Sequence, residues 1–197
     1  MIRFPQYIQR ADPRCSFDKF DHGTAIGDEF TKCQDDAAHQ ALEKIVNHLM
    51  DAQKNEKGAL KKMPEIHLYK TSMVNAFALP GDHMAVLTGF LKDSTSENEV
   101  AGVLAHEMGH IYNKDPMKYL VQSQEMRMLA GMMGSSGYSE IASATATLST
   151  LRYSRDKERA ADEFAKRILP KGGYTAEGLA SFLSRAEKQS PELAQSI

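Results

Sequence analysis

The five residues His106-Glu107-Met108-Gly109-His110 constrain this chain more than any other stretch. They lie inside a segment with a strong helix start. Ser96-Glu97-Asn98-Glu99 places a glutamate three residues after a serine, the pattern of a capping box. Val100, Val103, Leu104, Met108 and Ile111 then recur at helical spacing, and Pro116 predicts an end near Asn113. Residues four apart share a helical face, so the imidazoles of His106 and His110 can reach one metal ion. Glu107 is rotated by about 100° from His106, which lets its carboxylate approach a water at that ion.

This spacing is the His-Glu-x-x-His arrangement of zinc hydrolases. It also arises by chance, with both histidines as plain surface or core residues of an ordinary helix, so context must carry the rest. Zinc needs a third protein ligand and keeps a fourth position for water. Glu158, near the start of a helix predicted over residues 156–169, is the candidate. Asp162 shares its face one turn on and can accept the free ring N–H of a ligand histidine, fixing the tautomer. Spacing alone favours a plainer outcome for these two acids, a solvated face pairing with Arg155 and Arg159.

The rest of the chain supplies a mixed set of elements. Residues 1–30 are rich in Pro, Asp, Gly and aromatics without a period and read as an irregular arm. An amphipathic helix is predicted over residues 35–53, with Gly58 as a stop signal. Residues 65–70 alternate like a strand, and two short apolar runs, 75–79 and 83–87, flank Pro80-Gly81-Asp82 as a hairpin. Further helices are expected over 117–133, 139–152 and from Thr175 through Lys188, with a turn at Pro170-Lys171-Gly172-Gly173.

Composition excludes several classes. Over 197 residues the formal net charge is −2, so bulk charge favours neither nucleic acid nor anionic lipid. No apolar run reaches the ~18 residues needed to span a bilayer, and the first residues lack a signal-peptide core. Cys15 and Cys33 form no Cys-x-x-Cys pair. They read either as two unrelated thiols or as a disulfide closing the arm in an oxidising compartment. The methionines at 117, 126, 128, 132 and 133 read as core filler before an adaptable binding surface. His67 and His83 lie near predicted strands and read as structural or exposed, because no partner spacing marks them as ligands.

Three signatures in order give the chain a family resemblance. They are Asn75-Ala76-Phe77-Ala78-Leu79-Pro80-Gly81, then His106-Glu107-x-x-His110, then Ser154-Arg155-x-x-Glu158-x-x-x-Asp162, with a weaker echo in Gly172-Gly173-Tyr174-Thr175. Together they resemble the HtpX-like and CAAX-prenyl-protease-type gluzincin metallopeptidases over residues 65–178. The resemblance implies an α+β fold: a mostly helical zincin-like metalloprotease domain over 35–197, with a small sheet beside the active-site helix, after an arm over 1–34. It implies one Zn2+ per chain on His106, His110 and Glu158. Glu107 would be the general base and acid, and Asp162 would orient a ligand histidine, His106. Asn75, Ala76, Phe77 and Ala78 would line the cleft and pair with an extended or unfolded protein substrate by strand addition. It further implies envelope protein quality control or processing, in a periplasmic or membrane-associated setting with a cytoplasmic alternative. Membrane association would run through segments outside these residues, and no nucleic-acid partner is expected.

Two departures from the family pattern stand out. Asp82 replaces a second glycine after Pro-Gly, which should alter the turn but not the metal site. Many relatives also carry a downstream Ser-Thr-His-Pro segment followed by an arginine, and this sequence stops about where it would begin. Either the sequence is cut short there or transition-state stabilisation comes from elsewhere, with Tyr153 and Arg155 as weak candidates. Two competing readings follow. One is a latent or inactive zinc-binding zymogen or chaperone-like form with a blocked or incomplete cleft. The other is a non-protease zinc protein, which requires Glu158 to lie far from His106 and His110.

Overall fold

The computed structural model describes residues 31–33, 35–122 and 153–189. The arm over 1–30, Cys15, the helix expected over 139–152 and the methionines at 126, 128, 132 and 133 lie outside these residues. The described part is mostly helical with one mixed sheet, as expected for an α+β domain. In chain order it runs β1 (Thr31–Lys32), α1 (Asp36–Gln53), β2 (Glu65–Lys70), β3 (Ala76–Leu79), β4 (His83–Leu87), α2 (Thr88–Asp93), α3 (Glu97–Tyr112), α4 (Asp115–Gln122), α5 (Arg155–Ile168), a 3-10 turn (Pro170–Gly172) and α6 (Glu177–Gln189).

The sheet order is β1-β2-β4-β3. The expected hairpin is present, with β3 antiparallel to β4 and Phe77 opposite Ala85. Its turn holds Gly81 at φ 83° and Asp82 at φ 63°. Aspartate is one of the few residues that tolerate this left-handed conformation, so it can stand where glycine would otherwise be needed. β2 joins the far side of β4 in parallel, with Glu65 opposite His83. Thr31 and Lys32, expected to belong to the irregular arm, instead pair antiparallel with Lys70 and Tyr69. Cys33 follows, buried and disulfide-bonded, which sets aside the free-thiol reading for this residue.

Helix α3 is the hub. It packs against α5, α6, β3, α1 and α4. Every residue from Glu99 to Ile111 on it is buried. Val100, Val103, Leu104 and Met108 are fully enclosed beside Leu42, Val46, Phe90, Phe164 and Phe182. Each such side chain contributes roughly 1.5–3 kcal/mol by burial. The sequence predicts one apolar stripe on this helix. The structure buries all sides of it, because sheet, α5 and α6 close around it.

Ser96 caps α3 as expected, its Oγ accepting from the Glu99 amide at 3.3 Å. The second half of the box differs. The Glu99 carboxylate accepts from the amide and hydroxyl of Thr95 at 2.7 and 3.0 Å. It also accepts from Arg185 of α6 at 2.7 and 2.8 Å. A local capping residue thus doubles as a tertiary anchor. Pro116 does stop α3 before it, and the chain restarts at Asp115 as α4 after a left-handed Lys114. The six-residue α2 carries no periodic signal and was not foreseen.

Candidate active site

The two histidines and the distant glutamate meet. On α3, His106 Nε2 and His110 Nε2 are 3.2 Å apart. Glu158 enters from the first turn of α5, with Oε2 at 3.3 Å from His106 Nε2 and Oε1 at 3.6 Å from His110 Nε2. Gly109 makes this approach possible. A Cβ built there would lie 2.8 Å from Ala161 Cα and 2.9 Å from Ala161 O. With no side chain at Gly109, the two helices close and Glu158, one turn before Asp162, reaches both rings. The solvated-face alternative does not hold for Glu158, and among the described ion pairs Arg159 lies instead near Asp156 at 3.7 Å. The reading that needs Glu158 far from the histidines fails with it.

Each imidazole is held from behind. His106 Nδ1 lies 3.0 Å from Asp162 Oδ1. His110 Nδ1 lies 3.1 Å from Asp115 Oδ2, and both groups are almost fully buried. Asp162 stands where it was expected, behind His106. Asp115 was missed. Its signal was the rule that a ligand histidine hands its second ring N–H to an acceptor, together with its place just beyond the helix end, five residues after His110. Tyr153 stacks on the His110 ring at 4.3 Å, whereas Arg155 is exposed.

These contacts test whether a cation fits. If both Nδ1 atoms donate to their carboxylates, both Nε2 atoms present lone pairs to each other and to Glu158. Glu158 Oε2 is itself buried with no hydrogen-bond partner. Three facing acceptors at this distance repel unless a positive charge lies among them. Ligands about 2.0–2.1 Å from a tetrahedral zinc ion stand roughly 3.4 Å from one another. The separations of 3.2, 3.3 and 3.6 Å match that figure. The local field has the same sign. Burial opposes charge on His106, yet the Asp162 and Glu158 carboxylates outweigh it and raise its pKa to about 10.

Glu107 is fixed separately. Its Oε2 accepts a 2.7 Å hydrogen bond from the Ala78 amide. Burial pushes its carboxyl upward, opposed by the two imidazoles and by that amide. The Leu87 amide donates to Asn75 O, so residues 75, 77 and 79 turn their backbone toward β4. Ala76 and Ala78 therefore turn theirs to the other edge of β3, which pairs with no strand among the described residues. The Ala76 amide is taken by Asn75 Oδ1 at 2.8 Å. The Phe77 side chain packs on the opposite face of the sheet with Tyr69, Leu79 and Leu87.

Comparison with known proteins agrees with this geometry. The model of Peptidase family M48 matches residues 36–196. The chain is 32% identical to Metalloprotease YcaL of Escherichia coli over 119 residues, 57% of this chain and 46% of the relative. It is 30% identical to a Protease HtpX homolog of Acaryochloris marina over 151 residues, 64% of this chain and 52% of the relative. It is 24% identical to the Beta-barrel assembly-enhancing protease of Yersinia pestis over 137 residues, 63% and 28%. The chain thus spans about half the length of the first two and less of the third. With a match over most of its length and three separated signatures converging in space, the chain belongs to Peptidase family M48.

Proposed function

We propose that this chain is the catalytic part of a zinc metalloendopeptidase. The observation that carries the reading is the convergence of His106, His110 and Glu158 beside a Glu107 carboxylate that a strand amide holds in place. The donor set, two neutral imidazoles and a carboxylate with room for a fourth position, is the one catalytic zinc sites use. A zinc ion there would supply Lewis acidity and lower the pKa of a water to about 7.

The chain's own residues do the rest. Asp162 and Asp115 keep both Nδ1 atoms protonated, which leaves the Nε2 lone pairs for the ion. Glu107 takes a proton from the attacking water at its carboxylate and returns it to the departing amine. Its burial raises its basicity toward the working pH, while the Ala78 amide fixes its orientation. The carbonyls of Ala76 and Ala78 on the edge of β3 away from β4 receive the amides of an extended peptide. Backbone pairing of this kind holds a substrate straight without demanding a particular side chain. It also lays the peptide along the edge where Glu107 is fixed. Unfolded or extended protein is therefore the proposed substrate class.

We place this activity at the cell envelope, in protein quality control or processing, either periplasmic or membrane-associated. The name of the Yersinia pestis relative, which refers to β-barrel assembly, supports this setting. Among the described residues no helix is long and apolar enough to cross a membrane. Two variants test the proposal. Glu107→Gln should keep zinc and lose nearly all cleavage of a casein-type substrate. His106→Ala should lose the zinc itself, seen by elemental analysis. Cleavage by Glu107→Gln at the parental rate would refute the assignment.

A further inference from the structure

We infer that the chain carries a second divalent-metal site, built from Glu65, His67 and His83, suited to a borderline transition-metal ion such as zinc. It lies on the face of the sheet turned away from α3. Along β2, Ile66 and Leu68 join the main core, while His67 and Tyr69 point to the other side. His83 stands at the start of β4, directly opposite Glu65 in the parallel pair. The Glu65 amide donates to Asp82 O at 2.9 Å, which locks the two strand starts together. Register therefore fixes three potential ligands in place, independently of the site on α3.

Their spacing is that of a ligand set. His67 Nε2 and His83 Nδ1 are 2.9 Å apart. Glu65 Oε1 lies 3.6 Å from His67 Nε2, and Oε2 lies 3.6 Å from His83 Nδ1. The corresponding separations among His106, His110 and Glu158 are 3.2, 3.3 and 3.6 Å. One proton shared between the two rings satisfies that pair alone. It leaves both carboxylate oxygens of Glu65 beyond hydrogen-bond distance, yet aimed at the same two nitrogens. A divalent ion in place of that proton would engage all three groups at once. Burial also lowers the His67 pKa, which favours the neutral imidazole that metals bind.

The two sites differ in ways that set their behaviour. The Glu65 and His83 side chains are 58% and 32% exposed, so an ion enters and leaves from solvent. No carboxylate backs either ring among the described residues as Asp162 and Asp115 do on α3. The second ion should therefore bind more weakly and exchange with free metal. Its place is structural. It joins β2 to the start of β4, next to the turn from which β3 carries Ala78 to Glu107. Occupancy stiffens that hairpin and stabilises the fold by mass action.

The test uses the full chain equilibrated with free zinc in the low micromolar range, followed by elemental analysis. The parent should hold two ions. The double variant Glu65→Ala/His83→Ala should hold one and still cleave the casein-type substrate. His106→Ala/His110→Ala should also hold one, and added zinc should raise its melting temperature. The inference is overturned if the His106→Ala/His110→Ala chain holds no ion, or if the Glu65→Ala/His83→Ala chain holds as many ions as the parent. Should that variant fail to fold, the His106→Ala/His110→Ala chain decides alone. It retains an ion if the second site exists and none otherwise. The count in the His106→Ala/His110→Ala chain does not depend on the peptidase reading, whereas the parent's count of two also needs the site on α3 to hold its ion.

Discussion

The amide of Ala78 on the edge strand and the carboxylate of Glu107 on α3 are joined by a 2.7 Å hydrogen bond. Sheet and helix are thus registered at the point of proposed chemistry. Ala78→Pro removes that donor and sets the ring Cδ in its place, so the Glu107 carboxylate must move off the strand. A general base that swings free loses alignment more than basicity. The expected result is a fall in kcat of about tenfold to a hundredfold, with zinc content unchanged. Steady-state kinetics beside metal analysis checks it. An unchanged kcat would show that packing alone positions Glu107.

Asp115 and Asp162 each sit behind one histidine, at 3.1 and 3.0 Å. The His106 partner holds the Asp162 carboxyl below its ordinary range, so this acid stays charged at neutral pH. Replacing either by asparagine keeps the shape and removes the charge. Each substitution should weaken zinc retention by about 10- to 100-fold, with activity recovered at higher free zinc. Competition against a chelator of known affinity measures the loss. The buried Asp115→Asn should be the more damaging, since its amide group has no solvent to turn to.

What the sequence revealed follows the range of each interaction. His106, Glu107 and His110 were legible because one helical turn fixes their relations. The hairpin around Gly81 was legible because its turn chemistry is local. Glu158 was ambiguous by spacing, since an acidic helix face looks alike whether it meets solvent or two imidazoles; only the resemblance implied that it would join the histidines. Asp115 escaped notice because it stands outside both helices' periodic patterns. The grouping of Glu65 and His67 with His83 was invisible because it depends on parallel pairing of β2 with β4, a register no local signal reports. Glu99 read as a capping residue, and its ion pair with Arg185 depends on how α6 packs against α3.

Gly109 ties the α3–α5 contact to the proposed metal ligands. A methyl group there would meet the Ala161 backbone at 2.8–2.9 Å, and backbone cannot turn aside as a side chain can. Gly109→Ala must move α5 away. Overpacking of this kind costs about 1–3 kcal/mol, and the displacement carries Glu158 away from both rings. The expected outcome is a lower urea midpoint together with weaker zinc binding. A control, Glu163→Ala on the exposed face of α5, should change neither. Loss of stability without loss of zinc would mean that α5 pivots about Glu158 instead of shifting as a body.

Arg185 and Glu99 give a pH-dependent test of how α6 is held. Burial pushes the Glu99 carboxyl upward, but the Arg185 guanidinium and the Thr95 amide and hydroxyl outweigh it and bring its pKa down to about 2. A folded value below the unfolded one stabilises the fold above the ordinary carboxylate range. That contribution fades as pH falls through that range toward 2. Arg185→Met strands a buried charge, which costs about 3–5 kcal/mol near neutrality. Acid protonates the stranded carboxyl and removes most of the penalty, while the parent loses its pair. Urea midpoints of the two chains should therefore lie far apart near neutral pH and converge in acid. Arg185 also lies over the Phe182 ring at 5.5 Å. A gap of constant size across pH would trace the loss to that stacking and not to the charge pair.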